Sequence, residues 1–169
     1  MDEAQQPDRR ILVIANRTCP CPTLTDEIGS RAQAASIDVL VVAPALNSRV
    51  RHWVSDVDSA MARAEGRVLL AVDELRERGI AAHGAVGDAN PLTAIEDALA
   101  FFAATEIIVV THPPGRSNWL EHGLIDKASR RFDVPIVHLV SEFGLSDGEI
   151  SRRRQSPTQR PRSLGASAS

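Results

Sequence analysis

The chain has 169 residues, a length that predicts one globular domain with room for a terminal tail. Its 43% hydrophobic and 24% charged residues are typical of a soluble protein, no apolar run is long enough to span a bilayer, and two cysteines are too few for a disulfide framework. Residues 151–169 carry five arginines and no acidic residue, which leaves a net charge of −8 on residues 1–150 and argues against a nucleic-acid-binding domain.

The two ends of the chain differ from its middle. The polar N-terminus is unlike a signal peptide, so we expect a cytoplasmic protein that does not contact membranes. We expect residues 1–9 to be a short flexible lead, residues 10–145 to form the domain, and residues 146–169 to be a disordered tail rich in Arg and Ser. The tail either binds an acidic partner or only raises solubility; nucleic acid is disfavoured, because the tail has no aromatic side chain to stack on bases.

Short apolar runs alternate with helical patterns along the domain. The runs are "ILVIA" (11–15), "DVLVVA" (38–43), the weaker "IAAHGAVG" (80–87), "EIIVVT" (106–111) and "PIVHLV" (135–140). The strong runs are continuous rather than alternating, which predicts strands covered on both faces, as in a parallel sheet. Helical patterns cover 23–35, 56–78, 91–102 and 118–131. The sequence therefore predicts an α/β fold with a doubly wound, five-stranded parallel sheet.

Residue types at two predicted helix ends support this reading. Asn90 followed by Pro91 is a favourable start for the third helix, because Asn caps free N–H groups and Pro suits the first helical position. Gly79 is placed to end the second helix, since glycine adopts the left-handed conformation that closes many helices.

The carboxyl ends of parallel strands share one edge of the sheet, and ligands bind in the crevice there. The loops at this edge cover 16–23, 44–55, 88–90 and 112–118. They hold Arg17, Arg49, Arg51 and Arg116, whose guanidinium groups suit phosphate or carboxylate. Either these arginines bind an anion, or they pair with nearby acids such as Asp56, Asp58, Asp88 and Glu121.

The order of these pieces resembles the universal stress protein family over residues 10–140. The most specific part is "VGDANPLTAIEDALAFFAATEIIVVTHPPG" followed by "PIVHLV". The resemblance implies the strand order 3-2-1-4-5, also shared by the related adenine nucleotide alpha hydrolase-like proteins. It further implies a non-catalytic stress-response role, with ATP bound between the first and fourth strands in some members, and a homodimer formed through the last strand, "PIVHLVSEFG".

The family's ATP-binding motif is altered in this chain. ATP-binding members carry Gly-x2-Gly-x9-Gly-Ser/Thr, and with Gly115 as the second glycine the other positions fall on His112, Ile125 and Asp126. The acidic residue that ends the family's first strand is Asn16 here. An ionised Asp126 would repel a phosphate where a hydroxyl could donate to it. We therefore expect ATP or another adenine nucleotide to bind weakly, with no other cofactor.

The sequence supports a non-catalytic binding or regulatory protein. The candidate ligand-binding residues are Asn16, Arg17, Val41, Arg49, Arg51, Asp88, His112, Gly115, Arg116, Ser117 and Asn118. The alternative is a thiol- or metal-dependent redox sensor or enzyme that uses Cys19, Cys21 and His112. Its C-x-C spacing differs from the usual C-x-x-C, and two small residues in a Pro-rich turn explain the cysteines as well.

Overall fold

The computed structural model of the chain describes residues 6–15, 21–45, 55–113 and 122–141. Five strands and four helices lie in these ranges. In chain order they are β1 (Arg9–Ala15), α1 (Pro22–Ala34), β2 (Ile37–Pro44), α2 (Ser55–Glu77), β3 (Ala81–Gly87), α3 (Pro91–Phe101), β4 (Glu106–Thr111), α4 (Leu124–Arg131) and β5 (Ile136–Val140). All five predicted strands are present, each within two residues of its predicted start. None of the helices in these ranges is long and apolar enough to cross a bilayer.

The strands form one parallel sheet in the order β3-β2-β1-β4-β5. This confirms the predicted fold class and the strand order that the family resemblance implied. The chain moves from β1 to β2 and β3 in one direction, then crosses back to place β4 on the other side of β1. The point where the direction reverses lies between β1 and β4, where ligands bind in open α/β sheets.

Two apolar layers hold the helices on opposite faces of the sheet. One layer joins α1 and α2 to the sheet through residues such as Ile28, Val72 and Val110. The other joins α3 and α4 to the opposite face through residues such as Ile95, Ala128 and Val109. Because both faces of the central strands are covered, β1 is buried from Ile11 to Ala15, as its continuous apolar run predicted.

The predicted helix ends at Gly79 and Asn90 are confirmed. Gly79 has a φ of 77°, its N–H donates to the carbonyl oxygen of Arg76, and the Ile80 N–H donates to that of Leu75, which together make a Schellman motif. The Asn90 side chain accepts the Leu92 N–H at 3.0 Å and caps α3. Both ends follow from local chemistry, because neither needs a distant partner.

Within the range 118–131, where the sequence predicts a helix, the described helix α4 covers only the second part. Gly123 adopts a left-handed conformation (φ 64°, ψ 38°), and α4 starts at the next residue, Leu124. His122 lies in the preceding turn, and residues 118–121 lie outside the described ranges. The helical periodicity alone could not locate this boundary, because a glycine within an apolar pattern does not by itself interrupt it.

Candidate functional site

The crevice at the end of the sheet is formed where β1 and β4 finish side by side. Ala15, the last residue of β1, is in register with Val110, and Thr111 ends β4 one residue later. Adjacent strands lie about 4.8 Å apart, so Ala15 and Thr111, the last residues of the two strands, are close neighbours. The ends of β1 and β4 therefore meet at one edge of the sheet, while residues 16–20, which follow β1, lie outside the described ranges.

Most of the predicted ligand-binding residues lie outside the described ranges. They are Asn16, Arg17, Arg49, Arg51, Gly115, Arg116, Ser117 and Asn118. Cys19, residues 1–5 and the tail over 146–169 lie outside these ranges as well. The ligand contacts expected of these residues therefore stay predictions.

His112 is the described residue at the centre of this edge. It is partly exposed, and it directly follows the fully buried Thr111. The Thr111 hydroxyl donates to the carbonyl oxygen of His112 at 2.9 Å, which restrains the backbone where the loop begins. The His112 Nδ1 atom is buried and has no hydrogen-bond partner in the part of the chain that the structure describes. A buried polar atom left unpaired costs about 1–3 kcal/mol, so this nitrogen stands out among the described residues at the edge.

His138 joins this cluster from the neighbouring strand, and the sequence did not assign it to the site. Its Nε2 lies 2.8 Å from the Thr111 hydroxyl oxygen. His138 is in register with Val109, two residues before Thr111, so both polar side chains stand on the same face of the sheet. Burial lowers the pKa of His138 below its ordinary 6.5. Period-2 alternation along "PIVHLV" was the available signal, but it needed the register between β4 and β5 to become informative.

Asp88 and Val41 are described, and both lie away from the β1–β4 crevice. Asp88 follows β3, two strands from β1, and its carboxylate accepts the Asn90 N–H at 2.7 Å. It therefore shapes the turn that leads into α3. Val41 is 1% exposed within the core layer under α1 and α2, so the structure gives it a packing role. Ligand contacts by these two residues stay predictions.

Cys21 packs into the hydrophobic core through its side chain. It is 1% exposed and stands immediately before α1, where its carbonyl oxygen accepts both the N–H and the hydroxyl of Thr25. Reactive thiols are usually partly exposed, in an electropositive setting. Among the ranges given above, no group of three His, Cys, Asp or Glu residues could hold a metal ion.

Comparison with known proteins identifies the architecture. No protein-family model matches the chain, and no curated protein matches it. Several solved structures match the chain. A universal stress protein family member from Burkholderia pseudomallei has a TM-score of 0.52 at 15% identity, over 76% of this chain and 94% of that one. A universal stress protein from Archaeoglobus fulgidus has the same TM-score and identity, over 76% of this chain and 97% of that one.

The fold is that of the universal stress proteins. A further structure from Archaeoglobus fulgidus, a universal stress protein in complex with dAMP, has a TM-score of 0.50 at 14% identity and covers 76% of this chain and 96% of the other. At such identities the likeness establishes the universal stress protein fold and leaves the ligand of this chain to be argued from its own residues.

Proposed function

We propose that the chain is a non-catalytic, universal stress protein-like binding protein that takes an adenine nucleotide or another small anion at the adjoining ends of β1 and β4. The observation that carries the proposal is the buried His112 Nδ1, which lacks a partner among the described residues at this crevice. Such a nitrogen accepts a hydrogen bond when unprotonated and donates one when protonated. A ribose hydroxyl suits either form, because it is both donor and acceptor.

Two further observations support a nucleotide. The crevice lies at the switch point of the strand order, the usual ligand position in such sheets. The Archaeoglobus fulgidus neighbour was solved with dAMP, a nucleotide with a single phosphate. We therefore take a nucleoside monophosphate as the first ligand to test.

A triphosphate fits this chain less well than a monophosphate. The motif positions that carry glycine and a hydroxyl residue in ATP-binding relatives are Ile125 and Asp126. Both lie in the first turn of α4, with Ile125 packed against the core layer and Asp126 exposed. A helix N-terminus favours an anion, but here the Asp126 carboxylate already occupies that position and would repel a phosphate.

Calorimetric titration of the full chain with dAMP, ATP and inorganic phosphate tests this proposal. We expect dAMP to bind at least as tightly as ATP, and His112→Ala to weaken dAMP binding about tenfold, the value of one or two hydrogen bonds. His83→Ala is the matched control, because His83 is an exposed histidine of β3 at the far side of the sheet. No binding of any of the three ligands, or sub-micromolar binding of ATP, would contradict the proposal, and binding of phosphate without dAMP would restrict the site to small anions.

Replacement of Asp126 tests the altered triphosphate site directly. Asp126→Ser removes the charge and supplies the hydroxyl of the family motif, so we expect ATP affinity to rise about threefold to tenfold, as for loss of one nearby like charge. Asp97→Ser, at an exposed position on α3, controls for the change in net charge. Equal ATP affinities in the two variants would count against the role given to Asp126.

We further propose a homodimer formed through β5. The Ile107 N–H donates to the carbonyl oxygen of Pro135, and the Ser141 N–H donates to that of Thr111, both at 2.8 Å. Backbone groups alternate in direction along a strand, so the odd-numbered residues here face β4, whereas Ile136, His138 and Val140 present N–H and C=O groups outward. β5 ends the strand order, and Val140 is 43% exposed. A strand edge that no described strand covers favours pairing with a second copy.

A further inference from the structure

One polar residue belongs to both proposed surfaces. The backbone of His138 faces the outer edge of β5, while its side chain crosses to Thr111 at the end of β4, where Nε2 lies 2.8 Å from the hydroxyl oxygen. Thr111 is 0% exposed, so water does not compete for its hydroxyl. Residues 27 positions apart in the sequence are thus joined beneath the crevice.

The hydrogen-bond distances favour one tautomer of the histidine. A carbonyl oxygen cannot donate, so we assign the single proton of the Thr111 hydroxyl to its 2.9 Å contact with the carbonyl oxygen of His112. With that assignment the hydroxyl accepts from His138, whose Nε2 then carries a proton and donates. Burial lowers the pKa of His138, which favours the neutral form of the ring. The result is a directed chain from His138 through Thr111 to the backbone of His112.

We infer that the chain from His138 through Thr111 to His112 couples pairing at the edge of β5 to the ligand site at the end of β4. Pairing with a second copy would hold the His138 backbone, keep its side chain on Thr111, and so hold the His112 carbonyl where the ligand loop begins. His138 and Thr111 are positioning residues, because they act on the site through His112. By linkage, a ligand at His112 must strengthen pairing at β5 by the same factor.

The inference rests on the proposed function, so its first test does not need a ligand. Amide hydrogen exchange of the full chain is measured at concentrations where it is monomeric and where it is dimeric. In the wild type we expect dimerisation to slow exchange at Thr111 and His112 about tenfold. In Thr111→Val and His138→Phe the exchange of these amides should be the same in monomer and dimer, because the hydrogen-bond chain is broken.

Two further variants separate coupling from a general loss of stability. His138→Gln retains an N–H donor that can reach Thr111, and we expect it to restore at least part of the protection. His83→Phe makes the same histidine replacement on the opposite edge strand, β3, and should behave as the wild type. A Thr111→Val chain that gains full protection on dimerisation would overturn the inference, as would a wild type that never dimerises.

The second test uses dAMP as the probe in sedimentation experiments. Saturating dAMP should tighten the wild-type dimer about fivefold or more, within the range usual for linked sites, and should leave the dimerisation of Thr111→Val unchanged. If dAMP binds and wild-type dimerisation does not change, the coupling is wrong. If the wild type does not bind dAMP, the proposed nucleotide site is wrong, and the exchange experiment still decides the coupling.

Discussion

The outward backbone groups of the two edge strands, β3 and β5, have different surroundings. At β3, the Ala45 N–H donates to the carbonyl oxygen of Gly87, so alternation turns the polar groups of Ala82, Gly84 and Val86 outward. The Arg76 Nε from α2 then donates to the outward carbonyl of Ala82 at 3.0 Å. At β5, the outward backbone N–H and C=O groups belong to Ile136, His138 and Val140. The aliphatic side chains of this strand are larger than those of β3.

Helix α2 packs closely against the edge strand β3. A Cβ atom added at Gly84 would overlap Val68 Cγ1 and lie 3.1 Å from Val72 Cγ2, so α2 can approach β3 only because this residue is glycine. Edge strands that are covered or capped resist pairing, whereas open aliphatic ones favour it. At β3 one outward carbonyl is thus bonded by a side chain of α2, whereas β5 is the edge that we propose to pair with a second copy.

The largest expected effect is loss of the dimer on Val140→Pro. The Val140 N–H points away from β4, so proline removes a donor for a partner strand without removing a hydrogen bond within the sheet. Because a two-fold dimer loses this donor in both copies, we expect dimerisation to weaken about a hundredfold or more in sedimentation experiments at micromolar concentration. Val140→Thr, which keeps the N–H, and Val86→Pro, at an outward position of β3, should both remain dimeric. A dimeric Val140→Pro chain would mean that another surface forms the dimer.

Next in size is the destabilisation caused by Gly84→Val. The added side chain must displace Val68 and Val72, and overpacking of this kind lowers the free energy of unfolding by about 2–3 kcal/mol. Ala85→Val is the matched control, because Ala85 is half-buried and packs against the opposite core layer. Urea denaturation of both variants checks the difference, and equal free energies of unfolding would show that α2 shifts at no cost.

A smaller effect is expected for Arg76→Met. The substitution removes the donor to Ala82 while retaining an unbranched side chain, and loss of one such hydrogen bond costs about 1 kcal/mol. Lys127→Met, at an exposed position of α4, removes a positive charge without touching the β3 edge. Thermal denaturation that gives the same midpoint for both variants would argue against the capping role of Arg76.

The smallest effect concerns pH and His138. The folded state lowers the pKa of His138, so the unfolded chain takes up a proton at this residue before the folded chain does as pH falls through about 6.5. The free energy of unfolding therefore decreases until the pH passes the pKa of His138 in the folded state. We expect the free energy of unfolding to decrease between about pH 7.5 and about pH 5.5, less steeply in His138→Gln. Urea denaturation at both pH values measures the difference, and identical slopes would contradict it.

Much of the fold could be predicted because its determinants are local. The apolar runs of β1, β2, β4 and β5 identify buried strands, and Asn90 caps α3 with its own side chain. The position of His112 at the carboxyl edge of the sheet also followed from sequence, since the residue after a parallel strand must lie there. Local signals were weakest where one residue changes the outcome, as at Gly123, whose left-handed backbone immediately precedes α4.

The sequence by itself determined the alternation of strands and helices, the faces they bury and the edge where a ligand would bind, because periodicity and end-capping depend on neighbours along the chain. Only the tertiary structure decided that His138 reaches Thr111, that Arg76 donates to Ala82 on β3 and that Cys21 packs into the core. Those contacts depend on strand register and helix approach, which bring together residues with no fixed relation in sequence.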